Sequence, residues 1–324
     1  MAPPHPTVPK EKEKTPLAIN KAMLAAIKAM SEQDIDVKKN YKLVRAAERL
    51  AHPPVTPLLP YSTWEHEVRC GDHLVPVRIF RPDNGEPIPK ILLFFHGGGW
   101  VIGDIDSYDK TCHVLANQTG RLVVSVDYRL APEHPYPAGL EDCYAVAREI
   151  FMDDSLFITR PEEIVLIGDS AGGNLAAAVS LLARDRGEFL PQKQILIYPA
   201  TYHDHSEDSP FESVRENGTD YILTSKRVND YLEMYTPNPE DRTSPYVAPL
   251  LAKDLSRQPE TLILTGQYCP LRDEGEEYGR QLALAGNAVQ VQRIPDALHG
   301  YFTQPVRYEP VRLSYQYINE FLAR

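Results

Sequence analysis

The chain contains a series of short apolar runs that alternate with stretches of helical character. Most of these runs are apolar at successive positions, which is typical of strands buried on both faces of a parallel sheet. The predicted strands are residues 91–95, 122–127, 164–167, 195–198, 261–265 and 289–294, and the predicted helices between and after them are 107–118, 137–151, 171–186, 274–285 and 308–322. The pattern therefore predicts an α/β fold with a mostly parallel central sheet and helices on both faces.

Several segments depart from this alternation and suggest a domain organisation. Residues 1–16 hold five prolines and an alternating Lys/Glu run, which predicts a disordered arm. Residues 17–56 show helical spacing over 17–30 and again over 38–51, and a polar and aromatic insert spans 201–240, with helical character only near 226–235. An antiparallel hairpin is expected where residues 65–70 and 75–81 flank Gly71 and Asp72. The core is expected to comprise residues 57–200 and 241–324.

Composition limits the classes of partner. The net charge of −11 argues against nucleic-acid binding and against docking on an anionic membrane. No apolar run approaches the length of a membrane span, and the proline- and lysine-rich start lacks the apolar stretch of a secretory signal. The four cysteines show no Cys-x-x-Cys spacing, which favours reduced thiols in the cytoplasm. No cofactor is implied.

The most informative motif is GDSAGGN at residues 168–174, which lies between a predicted strand and a predicted helix. Glycines at 168 and 172 allow the strand and the helix to approach closely, so that Ser170 occupies a sharp, exposed turn. Its hydroxyl then lies at a helix N-terminus, where backbone N–H groups favour a developing negative charge. We therefore predict that Ser170 is a nucleophile.

A second glycine-rich motif, HGGGW at residues 96–100, also follows a predicted strand. Successive glycines allow several backbone N–H groups to point at one position, because they have no Cβ atom to push the loop away. Together with the amide that follows the serine, this run predicts an oxyanion hole made by the N–H groups of Gly98, Gly99 and Ala171. The glycine-rich motif and the serine motif together are far more specific for this chemistry than either motif is alone.

These motifs resemble those of the bacterial hormone-sensitive lipase family of α/β-hydrolases, in the group whose serine motif reads GDSAG. The resemblance extends from about residue 77 to about residue 302 and includes DYRLAPEHP at 127–135, SPYVAPL at 244–250, PLRDEG at 270–275 and HGYF at 299–302. It implies a serine esterase of the α/β-hydrolase fold with a Ser-Asp-His triad, oxyanion N–H groups in the glycine run, and a helical cap. The cap would be formed by the N-terminal helices and the insert, and the substrates would be short-chain acyl esters.

The resemblance assigns His299 as the general base, because this fold delivers its histidine from the loop after the last strand. One departure concerns the acid: where the family has aspartate, this chain has Cys269. A thiol orients an imidazole poorly, although a helix N-terminus and an imidazolium could lower its pKa enough to give a thiolate. Asp273, one helical turn further on, is a possible substitute acid that would need a shift or a bridging water, and Asp296 is a weaker candidate.

The sequence therefore predicts a serine carboxylesterase that acts through an acyl-enzyme and is impaired because Cys269 occupies the acid position. The alternative is a catalytically retired small-molecule-binding protein of the same fold. The His203-Asp204-His205 stretch lacks a third ligand nearby, so no metal site is expected. A homodimer is expected through the last strand, which is rich in Val and Ile and would need cover at the sheet edge.

Overall fold

The computed structural model describes residues 36–54, 63–83, 90–153 and 156–324. The arm expected over 1–16 and the helix expected over 17–30 lie outside the described residues. Within the described ranges, no helix is both long and apolar enough to cross a membrane.

An eight-stranded sheet forms the centre of the fold. Its strands are β1 (Thr63–Cys70), β2 (His73–Phe80), β3 (Ile91–Phe95), β4 (Leu122–Val126), β5 (Ile164–Asp169), β6 (Lys193–Ile197), β7 (Glu260–Tyr268) and β8 (Val289–Leu298). They are arranged in the order β1-β2-β4-β3-β5-β6-β7-β8. The β1–β2 hairpin is antiparallel and β2 pairs antiparallel with β4, whereas all the other pairs are parallel. The predicted fold class is confirmed.

Helices cover the sheet and extend above its carboxyl edge. In the part of the chain that the structure describes, they are α1 (Val37–Ala51), α2 (Asp109–Thr119), α3 (Ala138–Met152), α4 (Ala171–Arg186), α5 (Glu212–Asn217), α6 (Ser225–Tyr235), α7 (Arg272–Leu284) and α8 (Glu309–Leu322). Short 3₁₀ turns lie at Pro161–Glu163, Pro239–Thr243, Pro249–Leu251 and Tyr301–Thr303. The sequence pattern does not predict α5, because a helix of six residues is too short to show a periodicity. The predicted β7 ends three residues before the observed strand ends, and the predicted α7 begins two residues after the observed helix begins.

The central strands and α4 form the densest part of the core. Every residue of β3 and β5 is buried, as are the first thirteen residues of α4. The contact between α4 and the sheet is so close that a Cβ atom on Gly172 would overlap the carbonyl oxygen of Phe95. This close approach places the start of α4 directly above the ends of β3 and β5, where both glycine-rich motifs lie.

Helix α1 packs against α6, so the described part of the N-terminal segment contacts the insert. Lys38 forms ion pairs with Asp230 at 3.2 Å and with Glu233. At the other side of α1, the Arg45 guanidinium donates to the carbonyl oxygen of Val101 at 2.7 Å and to Glu133 at 2.9 Å. These contacts anchor α1 beside the glycine-rich loop.

Candidate active site

Ser170 lies at the junction of β5 and α4 in a strained conformation, with φ 55° and ψ −118°. A non-glycine residue with positive φ persists only where its surroundings determine the backbone. Here the Ser170 N–H donates to the carbonyl oxygen of Ile197 at 2.8 Å, and the Ser170 carbonyl accepts from the Asn174 N–H at 3.0 Å. The strained turn presents the hydroxyl to a cavity above the sheet.

His299 follows the last residue of β8 and contacts Ser170 directly. Its Nε2 atom lies 2.9 Å from Ser170 Oγ, although the two residues are 129 positions apart in the sequence. The Tyr198 ring packs on the imidazole, with ring centroids 4.7 Å apart and an interplanar angle of 56°. Burial lowers the pKa of His299 to about 3, so the imidazole is neutral near neutral pH and can accept a proton from the serine.

Cys269 occupies the position from which an acid would orient the histidine. Its Sγ atom lies 3.1 Å from His299 Nδ1, and the side chain is completely buried. Burial raises the pKa of this thiol well above its ordinary value, so the group facing His299 is a neutral thiol. Desolvation thus disfavours the thiolate considered from the sequence, against the Leu271 N–H, which lowers the pKa.

Asp273 is engaged elsewhere in this structure, so a role as substitute acid would need the shift or the bridging water considered from the sequence. Its carboxylate accepts from the Ser213 N–H at 2.7 Å and from Arg272 Nε at 2.7 Å. Arg272 in turn binds Glu216 at 2.7 Å. These contacts join α5 to the start of α7, and α5 is the element that the sequence pattern did not predict. Asp296, the weaker candidate, bonds through its backbone N–H to Gln267 Oε1 at 2.9 Å.

We expect Asp273→Asn to reduce the stability of the fold by about 1 kcal/mol, the usual scale of one lost hydrogen bond, and to leave turnover within a few-fold of wild type. The asparagine cannot keep the ion pair with Arg272, but the contact between Cys269 and His299 does not depend on it. Denaturant unfolding and the hydrolysis rate of a chromogenic ester measure the two effects. A rate loss of a hundredfold or more would instead make Asp273 a working acid.

The loop after β3 forms the second half of the site. Gly98 has φ 116°, a conformation that L side chains rarely adopt, and a Cβ atom there would overlap the carbonyl oxygen of Ile102. The turn is closed by hydrogen bonds from the N–H groups of Val101 and Ile102 to the Gly98 carbonyl, at 3.1 and 2.9 Å. Gly98, Gly99 and Ala171 line the same cavity as Ser170. Ala171 is the first residue of α4, so its N–H has no acceptor within the helix.

Asp169 is a functional residue whose role the sequence did not reveal. Its buried carboxylate accepts from the Gly97 N–H at 2.9 Å, from the Tyr108 hydroxyl at 3.0 Å and from the Tyr198 hydroxyl at 3.3 Å. Burial raises its pKa to about 7, against these three donors, which stabilise the anion. Asp169 therefore links the glycine loop to Tyr198, whose ring packs on His299. The one sequence signal for Asp169 was its position directly before Ser170.

His96 holds the glycine loop from its other side. Its Nδ1 atom lies 2.7 Å from the carbonyl oxygen of Gly97, and its ring stacks on Tyr128 with centroids 4.3 Å apart. The Tyr128 hydroxyl donates to the His96 carbonyl at 2.7 Å. Burial lowers the pKa of His96 to about 4, so it remains a neutral structural residue.

A cavity of about 360 Å³ opens above Ser170, near the small end of the range for ligand sites. Its walls come from α1, the glycine loop, the insert with α6, and the loops that carry Cys269 and His299. The residues that line it, apart from those already named in the loop and the serine motif, include Val37, Val44, Glu48, His52, Trp100, Ile222, Leu223, Arg227, Val228, Tyr231, Leu271 and Thr303. Most of these side chains are apolar, so the cavity suits a small and largely apolar ligand.

In the His203-Asp204-His205 stretch, one histidine is held by a buried carboxylate. His205 Nε2 lies 2.6 Å from Glu274 Oε2, both side chains are fully buried, and the other carboxylate oxygen of Glu274 accepts from the Thr201 N–H at 2.6 Å. This pair ties the start of the insert to α7. A separate group of Cys70, His73 and Asp142 has ligand atoms within 4.8 Å of one another.

That second group is a poor cation site because its carboxylate is already occupied. Arg129 donates to Asp142 at 2.8 Å through Nη2 and at 2.9 Å through Nε, and His73 Nε2 lies 2.8 Å from the same carboxylate. An adjacent guanidinium repels a metal cation. We therefore assign this group to the packing of the hairpin on α3.

Comparison with known proteins agrees with this geometry. Residues 92–303 match the model of a protein family whose description is the α/β hydrolase fold. The carboxylic ester hydrolase LipN of Mycobacterium tuberculosis is 39% identical over 235 residues, which cover 70% of this chain and 61% of that protein. The arylesterase of Saccharolobus solfataricus is 33% identical over 279 residues, covering 84% of this chain and 85% of the arylesterase.

Among solved structures, the hyperthermophilic esterase of Pyrobaculum calidifontis superposes with a TM-score of 0.82 at 33% identity, and the match covers 95% of this chain and 98% of that one. The chain belongs to the α/β-hydrolase family, in its hormone-sensitive-lipase-like group.

Proposed function

We propose that this protein is a serine carboxylesterase that hydrolyses short-chain acyl esters through an acyl-enzyme intermediate. The observation that carries the proposal is the 2.9 Å contact between Ser170 Oγ and His299 Nε2, two residues that line the same largely apolar cavity. The named activities of the relatives, carboxylic ester hydrolase and arylesterase, support the same reaction class.

The proposed reaction has two halves. Ser170 Oγ attacks the ester carbonyl carbon while its proton passes to His299 Nε2, and the resulting oxyanion accepts hydrogen bonds from the N–H groups of Gly98, Gly99 and Ala171. The intermediate collapses, the alcohol leaves with the proton from His299, and the acyl group remains on the serine. Water, deprotonated by His299, then attacks the acyl-enzyme and releases the carboxylic acid, which restores the serine hydroxyl.

The thiol at position 269 makes this a slow enzyme in our proposal. A carboxylate can only accept a hydrogen bond, so it forces the tautomer with the proton on Nδ1 and leaves Nε2 free for the serine. A thiol can donate or accept, so Cys269 permits both tautomers, and it carries no charge to stabilise the imidazolium. Loss of that function in a complete triad reduces turnover by roughly 10⁴-fold.

Hydrolysis of chromogenic 4-nitrophenyl esters by the purified protein tests the proposal. We expect release of nitrophenol from the acetate and the butyrate and a lower rate with the decanoate, as the proposed short-chain preference requires. A protein with Ser170 replaced by alanine provides the blank. Equal rates for the protein and the blank would overturn the proposal.

The alternative function is a small-molecule-binding protein that has lost catalysis, and the thiol facing His299 is the observation that favours it. The ester series separates the two functions. A retired binder would be stabilised against heat by unhydrolysed esters, with no acid or alcohol produced. An esterase would release both products.

We also propose that the protein forms a homodimer through β8. This strand lies at one end of the sheet, and Val289 and Val291 on it are only partly buried. An edge strand presents unpaired backbone groups that a second copy can cover. Light scattering at micromolar concentration is expected to give twice the monomer mass, and a mass equal to one chain would refute the dimer.

The proposals on partners and on localisation rest on the cysteines and on the net charge, not on a binding site. Cys70, Cys112, Cys143 and Cys269 are all unpaired thiols, which supports a reducing compartment and hence the cytoplasm. The charge of −11 supports the absence of a nucleic-acid partner. The substrate is therefore proposed to be a small diffusible ester, and no cofactor takes part in the proposed reaction.

A further inference from the structure

Glu48 is a charged residue on the inner face of α1. Together with Val37, Val44 and His52 of the same segment it lines the cavity above Ser170. Residues spaced by four and seven positions share one face of a helix, so this face is apolar at Val37 and Val44 and acidic at Glu48. A carboxyl group on the buried face of a helix needs a partner, because an unpaired buried charge is costly.

No partner is present for one of its oxygens. Oε2 of Glu48 is closed off from solvent and has no hydrogen-bond partner among the described residues. The two arginines of α1 that could reach it are directed elsewhere: Arg45 binds Glu133 at 2.9 Å, and Arg49 binds Asp104 at 2.5 Å. Glu48 therefore lines the cavity and carries an unsatisfied acceptor, and a molecule in the cavity can reach this oxygen only if the carboxylate turns toward it.

Burial and the neighbouring charges both disfavour the ionised form of Glu48 unless a cation pairs with it. Burial raises its pKa to about 7, the negative charges of Asp104 and Asp169 raise it further, and the Gly103 N–H is the one donor that opposes the rise. The titratable and charged groups around Glu48 come from every element packed on it. They are Arg45 and Arg49 on α1, His52 directly after α1, Asp104, Tyr108 and Asp169 beneath it, Arg227 and Tyr231 on α6, and His299 across the cavity. The two charges that raise the pKa of Glu48, those of Asp104 and Asp169, are both acidic, which favours a cation next to this carboxylate.

We propose that Glu48 is a specificity-determining residue of the serine site and that it binds an ammonium group on the substrate. The favoured substrates would be small esters that carry a primary or secondary amine, protonated when bound. With the carboxylate turned toward the cavity, the ammonium would supply the donor that Oε2 lacks and form a charge-assisted hydrogen bond, which is stronger than a neutral one. The naming of a substrate class rests on the proposed esterase function, whereas the binding of the cation does not.

A binding experiment in the Ser170→Ala protein tests this inference without requiring turnover. Calorimetry at pH 8 compares butylammonium with 1-methoxypropane, a neutral molecule of similar size that has no donor. We expect butylammonium to bind at least tenfold more tightly than the ether. Adding Glu48→Gln should abolish this preference, whereas adding Glu67→Gln, which removes an exposed carboxylate on β1, should preserve it.

The pH dependence gives a second readout. Raising the pH from 6 to 8 ionises Glu48, so the affinity for butylammonium should rise in the parent protein and stay constant in the Glu48→Gln protein. Equal binding of the two ligands, or an unchanged preference after Glu48→Gln, would overturn the inference. Binding of ammonium by a protein that hydrolyses no ester would retain it and reject the esterase instead.

Thermal unfolding distinguishes a ligand-binding role from a structural one. Because the pKa of Glu48 is raised in the folded state, folding favours its protonated form, and the ionised form destabilises the fold as the pH rises through about 7. Glu48→Gln should therefore raise Tm more at pH 8 than at pH 5.5. A lower Tm for Glu48→Gln at pH 8 would show that Glu48 serves the fold, and would overturn the inference.

Discussion

Ser170→Ala is expected to reduce ester hydrolysis to the background rate while leaving the fold intact. The hydroxyl is the atom that contacts His299 Nε2, and nothing else in the turn replaces it as a nucleophile. In a protease with a complete triad, loss of the serine costs roughly 10⁶-fold in turnover. The fold-loss in turnover expected here is smaller, because the unmodified protein already lacks the triad acid and so starts from a lower turnover.

The measurement is the initial rate on 4-nitrophenyl butyrate, with an unfolding curve of each protein as the control. Alanine fits the space of the serine, so the two unfolding curves should nearly coincide. Retention of most of the activity in a folded Ser170→Ala protein would exclude the serine mechanism.

Cys269→Asp is expected to increase turnover, by up to the roughly 10⁴-fold scale of a missing triad acid. The new carboxylate would face His299 Nδ1, which now lies 3.1 Å from the thiol, and would hold the proton on that nitrogen. The Leu271 N–H, which lowers the pKa of the present thiol, would give the carboxylate a second donor. The gain is expected in turnover rather than in substrate affinity, because Cys269 does not line the cavity.

The pH profile provides an independent check of the same change. Burial now lowers the pKa of His299 to about 3, so its neutral, active form persists into acid. A carboxylate at position 269 would stabilise the imidazolium and raise this pKa. The acidic limb of the rate profile should therefore move to higher pH in Cys269→Asp.

Cys269→Asn and Cys269→Ser are the matched controls. Asparagine has nearly the shape of aspartate without its charge, and serine keeps a neutral group that can donate or accept. Both should remain within about tenfold of wild type, because the large gain requires a charged acceptor. A folded Cys269→Asp protein with no gain in rate would show that position 269 is not the vacant acid position.

The agreement between sequence and structure is closest where the interactions are local. Strand β3 and helix α4 have the bounds predicted for them, because a continuous apolar run and an alanine-rich stretch after a glycine turn each specify one conformation. The strained turn at Ser170 was also predictable, since the residues that allow it are its immediate neighbours. The placement of His299 followed from the family resemblance rather than from local pattern.

The acid position shows where such reasoning fails. Cys269 and Asp273 are one helical turn apart, and the sequence placed Cys269 at the acid position while leaving Asp273 as a substitute that would need a shift or a bridging water. The choice depends on where β7 ends and on α5, a short helix whose Ser213 N–H binds the Asp273 carboxylate. Burial raises the pKa of Cys269 and so favours the neutral thiol, an effect that helix position alone did not reveal.

The sequence by itself determined the parallel sheet, the serine turn and the glycine loop, because each depends on residues that are close together in the chain. Only the tertiary structure decided that Asp169 supports the glycine loop, that Asp273 binds α5, and that Glu48 of α1 faces the cavity. These assignments depend on contacts between elements that lie far apart in the sequence. Their strength is set by burial, which is a property of the packed molecule and not of any one segment.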